Sequence, residues 1–202
     1  MRRIIGIDPG LTYCGIVLAR ARGKISEKAP EYYRHATMVA EGETWLQKCD
    51  NLVYRIFNWI INNTNEHDEL HIIVEEPVNM MMQRAWSAAI QNRLFGLMLP
   101  KFTELNQHLR PTTIYSVYPT SVKKLFTGNG RAKKPQIVNK AKKVYTFKKH
   151  YSKALTECLA DAIAITYCGW RVCYPDSVMP NGITILSGER VSLLESDPSD
   201  ED

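Results

Sequence analysis

Acidic side chains follow apolar segments at three separate places in the chain. Asp8 comes directly after the apolar run 4–7, and Glu75 comes directly after the run 70–74. Glu157 and Asp161 stand four positions apart in a third apolar segment, so they would share one face of a helix. Carboxylates brought together repel one another unless a cation binds them. The pattern therefore predicts a cluster of oxygen ligands, which suits Mg²⁺ or Mn²⁺ rather than Zn²⁺.

Each acid taken alone also fits a simpler explanation. Asp8 precedes Pro9 and Gly10, so it could be a solvated residue in a turn, and the pair on the third segment could form a solvated polar edge. The repetition of acids after apolar segments favours the carboxylate site. Two ions bound there, roughly 3.5–4 Å apart, would activate a water molecule and stabilise the leaving oxygen of a phosphodiester.

Positive charge is concentrated in one part of the sequence. The net charge is +5, yet the range 123–153 contains eleven Lys and Arg residues and no Asp or Glu. A solvated basic face is the alternative, but so long a run without acids favours a polyanionic partner. A Gly-rich basic loop at 128–135 suits phosphate contacts. The candidate DNA-binding residues are Lys123, Lys124, Arg131, Lys133, Lys134 and Lys140.

Hydrophobic periodicity predicts the elements that would position these residues. A central strand at 70–74 and a strand at 112–117 lie between helical patterns, as expected of an α/β protein. Met80, Met81 and Met82 suit either core packing or an apolar contact with DNA. The predicted strands are 4–8, 15–19, 32–39, 70–74, 112–117 and an edge strand at 183–186; the predicted helices are 45–61, 84–99 with a kink or break at Pro100 and a continuation to 109, a short helix from 119, 136–151, and 154–167 or beyond.

Length and composition restrict the class of protein. The 202 residues and 45% hydrophobic content suit one globular domain, which we expect at 1–175, followed by an extension at 176–202 that ends in a disordered acidic tail. No apolar run approaches the roughly 18 residues of a membrane span, and no targeting segment is evident. We therefore expect a cytoplasmic protein with no membrane partner. Its five Cys residues show no C-x-x-C pairing, which favours reduced, buried thiols.

Four motifs resemble those of a known family. The sequence IGIDPGLTYCG at 5–15 resembles the first motif of RuvC-type Holliday junction resolvases, which belong to the ribonuclease H-like superfamily. IIVEEP at 72–77 is similar to the second motif, TGNGRAKKPQIV at 127–138 to the basic loop, and ECLADAIAI at 157–165 to the acidic last helix. The motifs occur in the family's order and cover about residues 3–170.

The resemblance implies a mixed five-stranded sheet flanked by helices, of the ribonuclease H-like α/β class. It also implies a homodimer that nicks four-way DNA junctions symmetrically, with one metal site in each subunit. The long helix that begins near 84 carries small residues and is the best interface candidate.

Residue roles follow by motif. The resemblance makes Asp8, Glu75, Glu157 and Asp161 the catalytic metal ligands, and Lys123 and Lys134 would contact phosphate. Bacterial members usually space the last acidic pair three apart, where this sequence has Cys158. The identity of the partner of Asp161 is thus open, with Glu157 preferred.

Three other functions remain to be separated. The IDxG turn also opens the phosphate loop of actin-like and sugar-kinase-like ATPases, but those chains need two such domains. A non-catalytic junction-binding protein would not need four acids beside DNA. A ribonuclease H-like nuclease that acts on other branched or hybrid substrates would carry the same motifs.

Overall fold

The computed structural model describes residues 1–21, 30–77, 85–107, 111–173 and 179–187. The described residues form one mixed sheet with helices on both faces, and no helix among them is long and apolar enough to cross a membrane. In chain order the elements are β1 (Arg2–Asp8), β2 (Cys14–Arg20), β3 (Glu31–Met38), α1 (Trp45–Asn63), β4 (Glu69–Glu75), α2 (Ala85–Gln107), β5 (Thr112–Val117), α3 (Pro119–Thr127), α4 (Lys134–Val144), α5 (Lys153–Val172) and β6 (Ile183–Ser187).

The strand order of the sheet is β3-β2-β1-β4-β5-β6. The central strands β1, β4 and β5 are parallel, whereas β2, β3 and β6 are antiparallel to their neighbours. In the β1–β4 pair Ile7 lies opposite Val74. Because Asp8 and Glu75 each follow one of these two residues, the parallel register brings both acids to the same edge of the sheet.

Both faces of the central strands are buried, which explains their nearly continuous apolar sequences. Alternate residues enter different cores: Ile4 packs on the face that α3, α4 and α5 cover, and Ile5 packs on the face that α1 and α2 cover. Helix α1 begins at the capping residue Thr44, whose hydroxyl accepts a hydrogen bond from the backbone N–H of Gln47 at 3.2 Å.

The structure confirms the mixed sheet flanked by helices, but the described residues contain six strands rather than five. The additional strand is β6, the edge strand expected at 183–186, which pairs antiparallel with β5. Part of the extension at 176–202 thus belongs to the sheet, while the domain boundary near 175 stays a prediction. The expected turn at 23–24, the three Met residues at 80–82 and the acidic tail lie outside the described residues.

Helix α2 has no break at Pro100, and α4 is shorter than predicted. Helix α2 continues through Pro100 as one element, because Phe102 and Leu105 beyond the proline are buried in the core and hold the second half in place. Helix α4 ends at Val144 rather than at 151. Tyr145 has an extended backbone there, and its hydroxyl is hydrogen-bonded to His35 of β3, so a tertiary contact ends the helix early.

Candidate active site

Helix α5 lies directly against β1 because glycines leave room for it. A Cβ atom on Gly6 would lie 2.2 Å from Thr166 Oγ1 and 2.4 Å from the Thr166 backbone nitrogen. A Cβ atom on Gly15 of β2 would lie 2.8 Å from the carbonyl oxygen of Cys158. These contacts are too short for any larger residue, so the glycines fix the distance at which Asp161 approaches the end of β1.

Three of the predicted acids come together at this edge of the sheet. Asp8, Glu75 and Asp161 line one cleft with a cavity volume of about 860 Å³. The acids are supplied by β1, β4 and α5 respectively. Asp161 is only 9% exposed, although it carries an ionisable group. Two rigid strands and one helix therefore hold the carboxylates in fixed directions, as the sequence pattern predicts.

Burial raises the pKa of all three carboxyl groups, and neighbouring carboxylates add to the rise. Burial is the largest cause of the raised pKa of Asp8, followed by the charges of Glu75 and Asp161. Burial and the charge of Asp161 raise the pKa of Glu75 to about 7. Burial also raises the pKa of Asp161, and the charge of Glu157 adds to that rise. The carboxylates are thus costly to ionise in this cleft, mainly because burial removes solvation from their charged forms.

Lys134 supplies positive charge inside the cleft. Its ammonium group, at the first residue of α4, forms an ion pair with the carboxylate of Asp161. Burial alone would lower the pKa of Lys134, but the ion pair with Asp161 and the charges of Asp8 and Glu75 raise it overall. The side chain therefore carries a full charge where the three acids meet.

Four of the six predicted DNA-binding residues surround the same cleft. Lys123 at one side also lowers the pKa values of Glu75 and Asp161 through its charge. Lys124 and Lys140 are exposed and do not line the cleft. The four that line it are Lys123, Arg131, Lys133 and Lys134.

Residues 4–169 match the family described as crossover junction endodeoxyribonuclease RuvC. The chain belongs to the RuvC family. It is therefore an endonuclease that resolves DNA junctions. The acids at the ends of β1 and β4 and the four cations that line the cleft agree with this membership. No curated protein matches the sequence.

Solved structures of RuvC-type proteins share the fold. A Thermus thermophilus RuvC structure has a TM-score of 0.60 at 20% identity, covering 82% of this chain and 91% of that chain. T. thermophilus RuvC in complex with a Holliday junction substrate has a TM-score of 0.61 at 20% identity, covering 82% and 90%. The yeast mitochondrial Holliday junction resolvase Ydc2 has a TM-score of 0.58 at 14% identity, covering 82% and 76%.

The fourth predicted acid of this RuvC-family chain is placed differently from the other three. Glu157 does not line the cleft, and one of its carboxylate oxygens lies 4.0 Å from Lys153 Nζ. Its neighbour Cys158 is 7% exposed, and burial together with the charges of Asp8 and Asp161 raises the pKa of its thiol. The role predicted for Glu157 stays a prediction.

Sequence reasoning did not select Glu76, which also lines the cleft. The hydroxyl of Ser116 donates a hydrogen bond to Glu76 Oε2 at 3.0 Å, and the backbone N–H of Glu76 donates to the carbonyl of Val117 at 2.8 Å. Both contacts tie the end of β4 to β5. The pair of acids at 75–76 was the signal that could have identified Glu76. Because neighbouring residues of a strand point to opposite faces, the pattern led to only one of the two being selected.

The donor set of this RuvC-family site fits a divalent cation of the magnesium type. Its acids offer carboxylate oxygens only, and a bound cation would offset the cost of ionising them, since burial is the main cause of their raised pKa values. Within the described ranges, no three His, Cys, Asp or Glu side chains already surround a common point, and the ammonium group of Lys134 pairs with Asp161 instead.

Proposed function

We propose that the protein cuts four-way DNA junctions by metal-assisted hydrolysis of one phosphodiester bond in the cleft of each subunit of a homodimer. The convergence of three carboxylates, of which Asp161 is buried and the other two are partly buried, and four cations on one cleft carries this proposal. A four-way junction has twofold symmetry, so a twofold enzyme would place two identical clefts for paired, symmetric nicks.

In this mechanism Asp8, Glu75 and Asp161 would hold two Mg²⁺ or Mn²⁺ ions. The bound ions would supply an activated water and stabilise the departing 3′ oxygen. Lys123, Arg131 and the other two cations that line the cleft hold the DNA backbone over the acids. The rigid ends of β1 and β4 keep the carboxylates in place during the reaction, and no covalent bond between enzyme and DNA is required.

We assign the fourth ligand position to Glu157. Its charge contributes to the raised pKa of Asp161, and the two residues stand one helical turn apart on α5. Among the described residues, Lys153 forms an ion pair with Glu157 at 4.0 Å, and its side chain is 91% exposed, so this weak surface contact does not hold Glu157 away from the acids.

Asp161→Asn is the direct test of the proposal. Nicking of a labelled four-way junction with Mg²⁺ should fall about 100-fold or more, since even indirect perturbation of a metal site typically costs 10–100-fold. Junction affinity in a gel-shift assay should change little because it depends on Lys and Arg. Asp50→Asn, which removes an exposed acid that lies 3.7 Å from Arg93 on α2, is the matched control. Normal nicking by Asp161→Asn would contradict the assignment.

A substrate panel separates this function from its alternatives. Four-way junction, three-way branch, linear duplex and RNA–DNA hybrid are incubated with the protein, with Mg²⁺, with Mn²⁺ and with neither. Paired symmetric nicks in the junction support the proposal. Preference for the hybrid or another branch indicates a ribonuclease H-like nuclease of different specificity, and tight binding without any cut indicates a non-catalytic junction-binding protein.

A further inference from the structure

The segment 145–152, between α4 and α5, forms a strap over the edge strand β3. It contains neither helix nor strand, yet both of its ends are attached to the same histidine. The hydroxyl of Tyr145 lies 2.5 Å from His35 Nδ1, and the hydroxyl of Tyr151 lies 2.7 Å from His35 Nε2. Within the strap, the backbone N–H of Tyr151 donates to the carbonyl of Lys148 at 3.2 Å. Two attachments and an internal turn thus fix its path.

Aromatic rings hold the inner side of the strap against the protein. The ring of Tyr145 is perpendicular to those of Tyr32 and Phe147, with centroid distances of 6.4 and 5.5 Å. Tyr145, Phe147 and Tyr151 all pack on the core beneath α5. Because the rings point inward, the residues between them point outward, and Lys148, Lys149 and His150 are exposed.

The outer side of the strap and its flanks carries uncompensated positive charge. Lys142, Lys143, Lys148 and Lys149 are exposed, and none forms an ion pair with the residues that the structure describes. Elsewhere on the described surface, Lys101 pairs with Glu104 at 2.9 Å. Exposed lysines that form no ion pair with the described residues, fixed on an ordered backbone, are typical of a surface that contacts a polyanion.

The strap lies outside the cleft but on a continuous path from it. Helix α4 begins with Lys134 in the cleft and has 11 residues, so its far end is about 16 Å away at a rise of about 1.5 Å per residue. One strand of B-DNA advances about 3.4 Å per phosphate. A duplex that followed α4 from the cleft would therefore reach the strap roughly five base pairs from the acids.

We propose that the strap is a second DNA-contact surface that binds the phosphate backbone of a duplex arm, through Lys148 and Lys149 with Lys142 and Lys143 beside them. The inference rests on the proposed function for its substrate and adds contacts beyond Lys140, the last of the phosphate contacts predicted from the sequence. His35 acts as a positioning residue, because it holds the strap and does not touch DNA.

The double variant Lys148→Ala/Lys149→Ala tests the strap. Fluorescence anisotropy measures its affinity for a four-way junction with long arms and for a linear duplex, in EDTA, over a series of salt concentrations. Affinity should fall about tenfold or more at roughly 100 mM salt, and the slope of log K against log salt should be smaller by about 2, one unit per lost phosphate contact. The nicking rate at saturating junction should stay unchanged, since neither lysine lines the cleft.

The matched control is Lys48→Ala/Lys101→Ala, which removes the same charge from α1 and α2 on the opposite face of the sheet. This control should retain the wild-type salt slope. Equal slopes for the strap variant and the control would overturn the inference while leaving junction cleavage intact. If the wild type fails to nick junctions, the proposed function fails, and the linear duplex still decides whether the strap binds DNA.

A second variant tests the attachment of the strap to His35. Tyr145→Phe/Tyr151→Phe retains every lysine but removes both hydroxyls that contact the histidine. Affinity should fall severalfold, because a loosened strap must be ordered on binding, while the salt slope should stay at its wild-type value. Unchanged affinity would show that the attachment does not position the lysines.

Discussion

Partly buried carboxylates at the ends of β1 and β4 lower the stability of the folded protein. Burial is the main cause of the raised pKa values of Asp8 and Glu75, and repulsion among the acids adds to it. A site selected for stability alone would not bring three carboxyl groups with raised pKa values together. Their presence therefore favours a role in binding a cation. This loss of stability can be measured when the divalent cation is removed.

The variant Glu75→Gln should be more stable than wild type in EDTA at pH 7.5. The folded pKa of Glu75 is about 7, above the usual value of 4.5. Its contribution to the free energy of unfolding is therefore highest below pH 4.5 and declines as pH rises toward 7. Urea titrations at pH 4.5 and 7.5 should give the variant an advantage of roughly 1–3 kcal/mol at the higher pH only, since one pKa unit corresponds to about 1.4 kcal/mol.

Magnesium supplies the complementary observation for this prediction. It should stabilise the wild type at pH 7.5 and stabilise Glu75→Gln much less, because the variant has lost one of the ligands. Equal stabilisation of both proteins by Mg²⁺ would remove Glu75 from the proposed ligand set.

The partner of Asp161 can be identified by comparing two neighbouring residues. Glu157→Gln should lower the nicking rate about 100-fold and raise the Mg²⁺ concentration needed for half-maximal rate, as expected for loss of a ligand. Cys158→Ser, which keeps the size of a buried side chain, should retain nicking to within about tenfold. Rates measured across an Mg²⁺ titration check both variants, and the opposite order of effects would transfer the role to Cys158.

At the scale of elements, the site depends on how closely α5 approaches the sheet. Gly6 and Gly15 face α5 where their Cβ atoms would overlap with it, and a Cβ on Gly169 of α5 would lie 2.0 Å from Ile73 Cδ1. These positions contain glycine because space is lacking, and the same contacts place Asp161 beside Asp8.

Gly6→Ala should separate α5 from β1 and disturb the cleft. The added methyl meets the backbone of Thr166 and Ala162, which cannot move aside as a flexible side chain would. We expect a loss of about 3 kcal/mol in the free energy of unfolding, at the upper end for overpacking. The nicking rate should also fall at a temperature where the variant is fully folded, so the loss of activity is not explained by unfolding alone.

Gly96→Ala is the control for this variant. Within one subunit no atom lies within 4 Å of the new methyl group, Gly96 is exposed in the middle of α2, and alanine is still small enough for the dimer contact expected of this helix. Alanine is the better helix former, so stability should rise by about 0.5–1 kcal/mol. Thermal unfolding measures the stability of both variants. Similar stability of the two would show that the close approach of α5 to β1 does not limit the stability of the fold.

The whole molecule is expected to work as a dimer, and α2 offers a surface for it. Ala89 and Gly96 stand seven positions apart on exposed turns of α2, so they lie nearly one above the other along the helix. Small side chains let a partner helix approach closely. The helix leads away from the cleft, to which it contributes Ala88 and Gln91.

Light scattering should give twice the mass of the 23.1 kDa chain for the wild type and a monomer for Gly96→Arg. The long charged side chain would prevent close contact between two copies of α2. Asn62→Arg, which adds the same charge at an exposed position of α1, should stay dimeric. A monomeric wild type would contradict the dimer, and a dimeric Gly96→Arg would move the interface elsewhere.

The sequence by itself determined the acids, the strands they follow and the basic segment. Asp8, Glu75 and the central strands could be predicted because alternation and apolar runs are local properties. The motif order also identified the family, since motifs carry long-range information that periodicity lacks.

Tertiary structure decided the rest. The ion pair between Lys134 and Asp161, the placement of Glu76 and the end of α4 at Val144 all depend on contacts between residues distant in sequence. Local propensity favours continuing α4, but Tyr145 gains a partly buried hydrogen bond with His35 by leaving it. Spacing along a helix specifies only the face on which an acid lies. Whether its side chain lines a cleft depends on how the helix packs against the rest of the protein.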